Sequence, residues 1–240
     1  MCTRPDIACA VAKLAQFVNN PLVGHNKLVN HLMGYIKGTY EAGLLLGGDI
    51  NPIECYCDAS HVSEGDLKSQ SGYVIFLGRF GSPVVWSSKK QAMVTKSTME
   101  SELNALYSAI PNCMWIVDLL KELAPETFIP GPVPVYEDNE AAIAHIKKQQ
   151  VTMRTQHYRR RYAWISQAQD MGDIVLVPIA GEDQTSDVFT KLLPKDPHRK
   201  HSSSLVFYAD GSSPFEKSLD LSEETLYEDI EFEDRPIQWS

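Results

Sequence analysis

Ile53-Glu54-Cys55-Tyr56-Cys57-Asp58-Ala59-Ser60 is the stretch in which the chain changes period. Upstream, apolar residues recur at helical spacing. From Ile53 to Asp58 they fall into an extended run in which Cys55 and Cys57, two residues apart, share one face. The strand ends on a carboxylate, Asp58. Working outward, Gly72 to Leu77 reads as a second strand of bulky and aromatic side chains, and Pro83 to Ser87 as a third. Gly78-Arg79-Phe80-Gly81 joins them as a hairpin-like turn, and Ser63-Glu64-Gly65-Asp66 is a loop. A helical pattern then runs from Thr98, its expected N-cap, to about Leu123, with Pro111 inside it expected to kink or break the helix. Val133 to Glu137 is a fourth strand leading into a helix from Asn139 to about Lys148. A further helix covers His157 to Gln169, a fifth strand Asp173 to Ile179, and a last helix Gln184 to Leu193. The order β-β-β-α-β-α-α-β-α predicts a mixed α/β sheet with helices on its faces.

Residues 3–48 read as two helices and a short strand. Pro5 suits a first helical turn, and Ile7, Val11, Leu14, Ala15 and Val18 keep helical spacing up to the stop at Asn19-Asn20-Pro21. Leu28, Val29, Leu32, Met33 and Ile36 mark a second amphipathic helix, and Ala42 to Leu46 is extended. Residues 195–240 lose all period and are rich in Ser, Asp and Glu, which predicts a weakly ordered acidic tail. Val206 to Tyr208 and Ile230 to Trp239 are its candidates for docking. The expected organisation is a helical segment over 1–48, a mixed-sheet domain over 49–194 and the tail over 195–240.

The net charge of −9 is unevenly spread. Residues 210–240 carry ten acids against two bases, leaving the remaining 209 residues close to neutral at −1. The globular part can therefore hold a basic patch, whereas the tail would repel a nucleic acid. The most basic region combines Arg154, Arg159, Arg160 and Arg161 with Lys147 and Lys148, interleaved with Tyr158, Tyr162 and Trp164. It can grip phosphates, as can Lys89 and Lys90 after the third strand; a solvated helix face over an aromatic core stripe is the plainer reading. Five cysteines at irregular spacing (Cys2, Cys9, Cys55, Cys57, Cys113) read as free thiols in a reducing compartment. No run is long enough to span a bilayer, and Met1 to Asp6 lack the features of a signal peptide, so an intracellular location, cytoplasmic or nuclear, is expected.

Four carboxylates carry the candidate chemistry. Asp58 and Asp138 close the first and fourth strands, and strand C-terminal ends line the ligand crevice of open α/β sheets. Glu102 lies one turn into the long helix and Asp187 in the last one. If the first and fourth strands are neighbours, the four can converge. Like charges ~4 Å apart repel by roughly 4 kcal/mol at an effective dielectric of ~20, so such a cluster takes up protons or hard cations. Mg²⁺ prefers carboxylate oxygen, and two ions ~3.5–4 Å apart can activate a water and stabilise the leaving oxygen of a phosphodiester. Any one of these acids alone is more readily a helix cap or a solvated loop residue.

Several segments resemble the ribonuclease H region of copia-type retrotransposon Pol polyproteins. They are Tyr56-Cys57-Asp58-Ala59-Ser60, Lys68-Ser69-Gln70-Ser71-Gly72-Tyr73-Val74, Trp86-Ser87-Ser88-Lys89-Lys90-Gln91, Lys96-Ser97-Thr98-Met99-Glu100-Ser101-Glu102-Leu103, Tyr136-Glu137-Asp138-Asn139, and Glu182 through Lys191. Upstream, Cys2 to Ile7 and His31 to Thr39 resemble the stretch that follows a reverse transcriptase palm, so the likeness covers roughly residues 2–194. It implies a ribonuclease H-like fold, with Asp58, Glu102 (rather than Glu100), Asp138 and Asp187 as ligands of two Mg²⁺ ions, for which Mn²⁺ can substitute. It further implies an endonuclease acting on the RNA strand of RNA–DNA hybrids, with a reverse transcriptase as a possible partner. The polymerase palm is absent, so no polymerase activity is expected. His157-Tyr158-Arg159-Arg160-Arg161-Tyr162-Ala163 departs from the family's segment by putting Arg159 in place of an acid and Ala163 in place of a histidine. His61 likewise stands where a Trp or similar residue is usual, and Pro111 falls in a helix that is continuous in the family. Pro111, Arg159 and Ala163 motivate a second reading, a non-catalytic relic or recruited interaction module that keeps the fold.

Overall fold

The computed structural model describes residues 3–61, 68–78, 81–148 and 156–215. The loop expected at 63–66, the middle of the turn at 79–80, Arg154, and the end of the tail with Ile230 to Trp239 lie outside the described residues.

Five strands form one sheet: β1 (Ile53–Ser60), β2 (Gln70–Leu77), β3 (Pro83–Lys90), β4 (Val133–Glu137) and β5 (Ile174–Pro178), in the spatial order β3-β2-β1-β4-β5. The β1–β2–β3 meander is antiparallel, and β4 and β5 run parallel to β1. The mixed sheet expected from sequence is thus observed, with β1 and β4 adjacent. The first three strands extend further than periodicity indicated, because Ala59, Ser60, Gln70, Ser71 and Ser88 to Lys90 keep their ladder partners although they are small or polar.

Alternation along each strand separates two cores. Cys55, Cys57 and Ala59 of β1, with Tyr73 and Ile75 of β2, face the helices α3 (Thr98–Leu123), α4 (Glu140–Lys148) and α5 (Arg159–Asp170), burying Leu103, Leu106, Ile110, Ile146 and Ile165 against them. On the opposite face Val74 and Phe76 pack against Val188 and Phe189 of the short α6 (Asp187–Thr190), together with Ala8, Leu205 and Val206. Cys9, Cys55, Cys57 and Cys113 are buried and unbridged.

Pro111 does not interrupt α3, which runs unbroken over 26 residues. Proline removes the amide that would reach the carbonyl of Tyr107. Pro111 and Tyr107 lie on the exposed face of the helix, where water can satisfy that carbonyl. The N-cap is Ser97, one residue before Thr98; its hydroxyl accepts from the Glu100 amide at 3.3 Å, while the Glu100 carboxylate accepts from the Lys96 amide at 2.7 Å.

The flanks are part of the packed structure. Helices α1 (Ala8–Leu14) and α2 (Val23–Gly38) precede the sheet, and Ala8 enters the second core. Ala42 to Leu46 makes no full strand; Gly43 pairs with Phe207 through a single bridge. The weak order expected from residue 195 gives way to a helix, α7 (Lys195–Ser202), and to Leu205 and Val206, both fully buried. The segment carries few apolar residues, but they are concentrated at the one place where the sheet's second face needs cover. Arg4 and Tyr35 both bond Asp6, at 2.7 Å each, and the His198 ring lies 3.2 Å from the Asp6 carbonyl, tying α7 to the N-terminal segment. No helix among the described residues is long and apolar enough to cross a membrane.

Candidate active site

The site lies where β1 and β4 part. Their parallel register pairs Cys55 with Val135 and Tyr56 with Tyr136; one step further the buried Gln184 side chain bridges the two strands, donating to the Cys57 carbonyl at 3.0 Å and the Tyr136 carbonyl at 3.4 Å. Beyond that bridge the strand ends diverge around an open cleft of about 870 Å³, lined in part by Asp58, His61, Glu102, Asp138, Asn139 and Lys191. Gln184 also anchors the segment that delivers Asp187: Ser186 donates to its Oε1 at 2.8 Å, and α6 begins at the next residue.

Helix α6 rests directly on β2. A Cβ built on Gly72 would come within 2.6 Å of the Phe189 Cβ and 2.7 Å of the Thr190 Cγ2, so only glycine admits this approach. The contact brings the Thr190 hydroxyl to Asp58, to which it donates, and sets Lys191 one helical turn beyond Asp187. The Lys191 ammonium lies 2.6 Å from Asp187 and 3.6 Å from Asp58.

The four acids singled out from sequence fall into two overlapping groups. Oxygens of Asp58, Asp138 and Asp187 lie within 4.8 Å of one another, and so do oxygens of Glu102, Glu137 and Asp138. Asp138 is shared. Glu137 was missed, because the resemblance points to the acid after it and the last residue of a strand reads as core. Two consecutive acids at a strand end next to the ligand crevice were the available signal. Its Oε1 accepts from the Asn139 amide at 3.2 Å. Glu100, buried to the same degree, is committed to the start of α3, which gives a physical reason why Glu102 is the carboxylate that turns to the cleft.

The electrostatics follow from crowding and burial. Burial, opposed by Lys191 and reinforced by Asp187, pushes Asp58 up to about 6. Glu102, 2% exposed, is pushed up to about 11 by burial and then by Glu137, Asp58 and Asp138. Glu137, fully buried, is raised well above the carboxylate range by burial first, and Asp138 is raised for the same reason. Burial works against the Lys191 ammonium, but Asp58 and Asp187 together hold it above the ordinary lysine value. The donor set suits a hard divalent cation: it is all oxygen, it is clustered, and Oε2 of both Glu102 and Glu137 is buried without a hydrogen-bond partner.

The basic residues divide. Lys89 and Lys90 sit at the end of β3, in register with Ser71 and Gln70 and hence at the same end of the sheet as the cleft, about 10 Å away across two strand spacings. Both are exposed, and Lys90 donates to Gln16 at 3.0 Å. Arg159 and Arg160 are exposed at the start of α5. Arg161 is half-buried and anchored: it donates to Asn104, and its guanidinium lies 5.2 Å from the ring centres of both Tyr107 and Tyr158.

Strand order, strand direction and the acids at the parallel strand ends define a ribonuclease H-like fold with an acidic centre. The chain is 32% identical over 197 residues to the Retrovirus-related Pol polyprotein from transposon TNT 1-94 of Nicotiana tabacum, which covers 82% of this chain and 14% of that protein. It is 31% identical over 195 residues to the Pol polyprotein from transposon RE1 of Arabidopsis thaliana, covering 80% of this chain and 13% of that one. The chain belongs to the Pol polyproteins of copia-type retrotransposons and spans about one seventh of the length of these relatives. No protein-family model matches it. Among solved structures it is similar to LC11-RNase H1 in complex with RNA/DNA hybrid, at 18% identity and a TM-score of 0.42, covering 58% of this chain and 94% of that one.

Proposed function

We propose that the chain is a metal-dependent endonuclease that hydrolyses the RNA strand of RNA–DNA hybrids, with Asp58, Glu102, Asp138 and Asp187 as the residues that hold two divalent ions. Bound there, magnesium (or manganese in its place) would supply an activated water and neutralise charge at the scissile phosphodiester. The chain's own residues do the rest. Asp58 lies in β1 and Asp138 directly follows β4, so two adjacent parallel strands set the positions of their backbones before any ion binds. Thr190 orients Asp58 through its hydroxyl, and Gln184 holds the Asp187 segment against both strands. Lys89, Lys90, Arg159 and Arg160 are the exposed cations available to the phosphates, with Arg154 as a further candidate. Selection of a hybrid would rest on groove shape and 2′-OH contacts rather than on base sequence.

The observation that supports this reading best is the meeting of acids distant in sequence in one open cleft at the ends of β1 and β4. Asp58→Asn or Asp138→Asn should lower cleavage of a labelled hybrid by a factor on the order of 10³ or more, with an unchanged far-UV circular dichroism spectrum. Cleavage at the wild-type rate by either variant rejects the assignment. A second reading, a binding module without catalysis, is favoured by Arg159 and Ala163, which replace an acid and a histidine of the family's segment, and by the inward anchoring of Arg161. Hybrid bound by the chain but left intact at millimolar Mg²⁺ would support it.

A further inference from the structure

The two halves of the acidic cleft differ in a way that the four-acid reading does not anticipate. In the outer half Asp58 and Asp187 already have a cation, the Lys191 ammonium at 3.6 and 2.6 Å, and Asp58 also accepts from the Thr190 hydroxyl. In the inner half Glu102, Glu137 and Asp138 bring three carboxylates together, and Oε2 of Glu102 and of Glu137 is buried with no hydrogen-bond partner. Nearly complete burial of both glutamates makes an unpaired oxygen there costly, and the nearest cation, Lys191, acts on Glu137 only from a distance while its ion pairs go to Asp58 and Asp187. We propose that the two cation positions are unequal: Glu137 completes an inner pocket that binds a divalent ion without substrate, whereas Lys191 occupies the outer position and yields it only when a phosphate draws its ammonium away. The inference rests on the metal-binding reading above, and adds Glu137 as a ligand and Lys191 as an internal competitor.

The chemistry is consistent on both sides. A flexible four-carbon stem lets an ammonium leave Asp187 and reach a phosphate in the adjoining cleft without backbone movement. The Lys191 side chain is 39% exposed and lines that cleft, so the route is open. Glu137 has no such freedom; its backbone is in the sheet, and its Oε1 is fixed by the Asn139 amide. It can serve only the inner position.

Mn²⁺ titration of the whole chain by calorimetry, in the absence of nucleic acid, tests the proposal. The wild type should bind one equivalent. Lys191→Met, which keeps the stem and removes the charge, should bind a second equivalent or show outer-site affinity raised about tenfold. Glu137→Gln, nearly isosteric, should weaken the wild-type equivalent at least tenfold while its thermal unfolding without metal stays cooperative. Two equal equivalents in the wild type, unchanged by Lys191→Met, overturn the proposal, as does wild-type affinity in Glu137→Gln. If these results come with hybrid cleavage that Asp58→Asn abolishes, the enzyme reading survives and only the inequality is lost. No Mn²⁺ bound by wild type or by Lys191→Met overturns both.

Discussion

Glu102 shows how one side chain records the purpose of its surroundings. A carboxyl group 2% exposed, beside Glu137, Asp58 and Asp138, is held protonated far beyond its ordinary range, up to about 11. The unfolded chain releases that proton near pH 4.5, so the unfolded form binds fewer protons than the folded one throughout the interval between. The contribution of Glu102 is therefore fully present below about pH 4.5 and is lost as pH rises. Metal-free protein should lose stability from pH 7 to pH 9, by up to about 1.4 kcal/mol per pH unit for each such group. Glu102→Gln should flatten that slope in urea unfolding with chelator present; an unchanged slope would remove Glu102 from the set of perturbed acids. The interval lies above the titration of His198 and His201, both held below the ordinary histidine value by burial, and above Asp58 at about 6, so these groups do not mask it. The choice of Glu102 over Glu100 came from resemblance; no spacing argument separates two acids two residues apart at the start of a helix. The structure separates them because the capping geometry at Ser97 uses Glu100.

Helix α6 is the element on which the site turns, and it is only four residues long. A helix so short has little stability of its own, and its position comes from what lies beneath it. Gly72 permits the close approach, Phe189 fills the second core, and Gln184 ties the incoming segment to β1 and β4. Gly72→Ala should force α6 away from β2, lowering stability by about 1–3 kcal/mol and, in the Lys191→Met background that opens the outer position, weakening Mn²⁺ binding at Asp187 more than at Glu137. Stability as in the wild type, with outer-position binding in that background unchanged, would show that α6 is placed by other contacts. From the sequence this element was expected to span Gln184 to Leu193. The observed helix is shorter because Gln184 and Ser186 turn inward to bond each other and the strands instead of continuing a helical ladder. Pro111 is the opposite case, a local breaker overruled because the face it occupies is solvent-exposed and the buried face of α3 is continuous on both sides of it.

At the scale of the whole molecule, the chain's two flanks close the second face of the sheet together. Ala8 from the front and Leu205 and Val206 from the back pack on Val74, Phe76 and Phe189, while Gly43 and Phe207 exchange backbone hydrogen bonds of 2.9 and 2.8 Å. Removing either flank uncovers large apolar side chains, each worth about 1.5–3 kcal/mol when buried. A fragment of residues 49–194, the domain expected from sequence, should therefore melt at least 10 °C below residues 1–215 or aggregate; equal melting temperatures would show that the flanks are ornaments on a self-sufficient domain. The element order, the alternation that assigns Cys55 and Cys57 to one core, and the family were all readable in the linear chain, because period and motif are local properties. Neither the pairing of Glu137 with Glu102, nor the Lys191 ammonium between Asp58 and Asp187, nor the helix over 195–202 and the sheet face on which Val206 docks could be read there. Each depends on which strand ends meet and on which sheet face lacks cover, quantities that exist only once separate stretches of backbone share a volume.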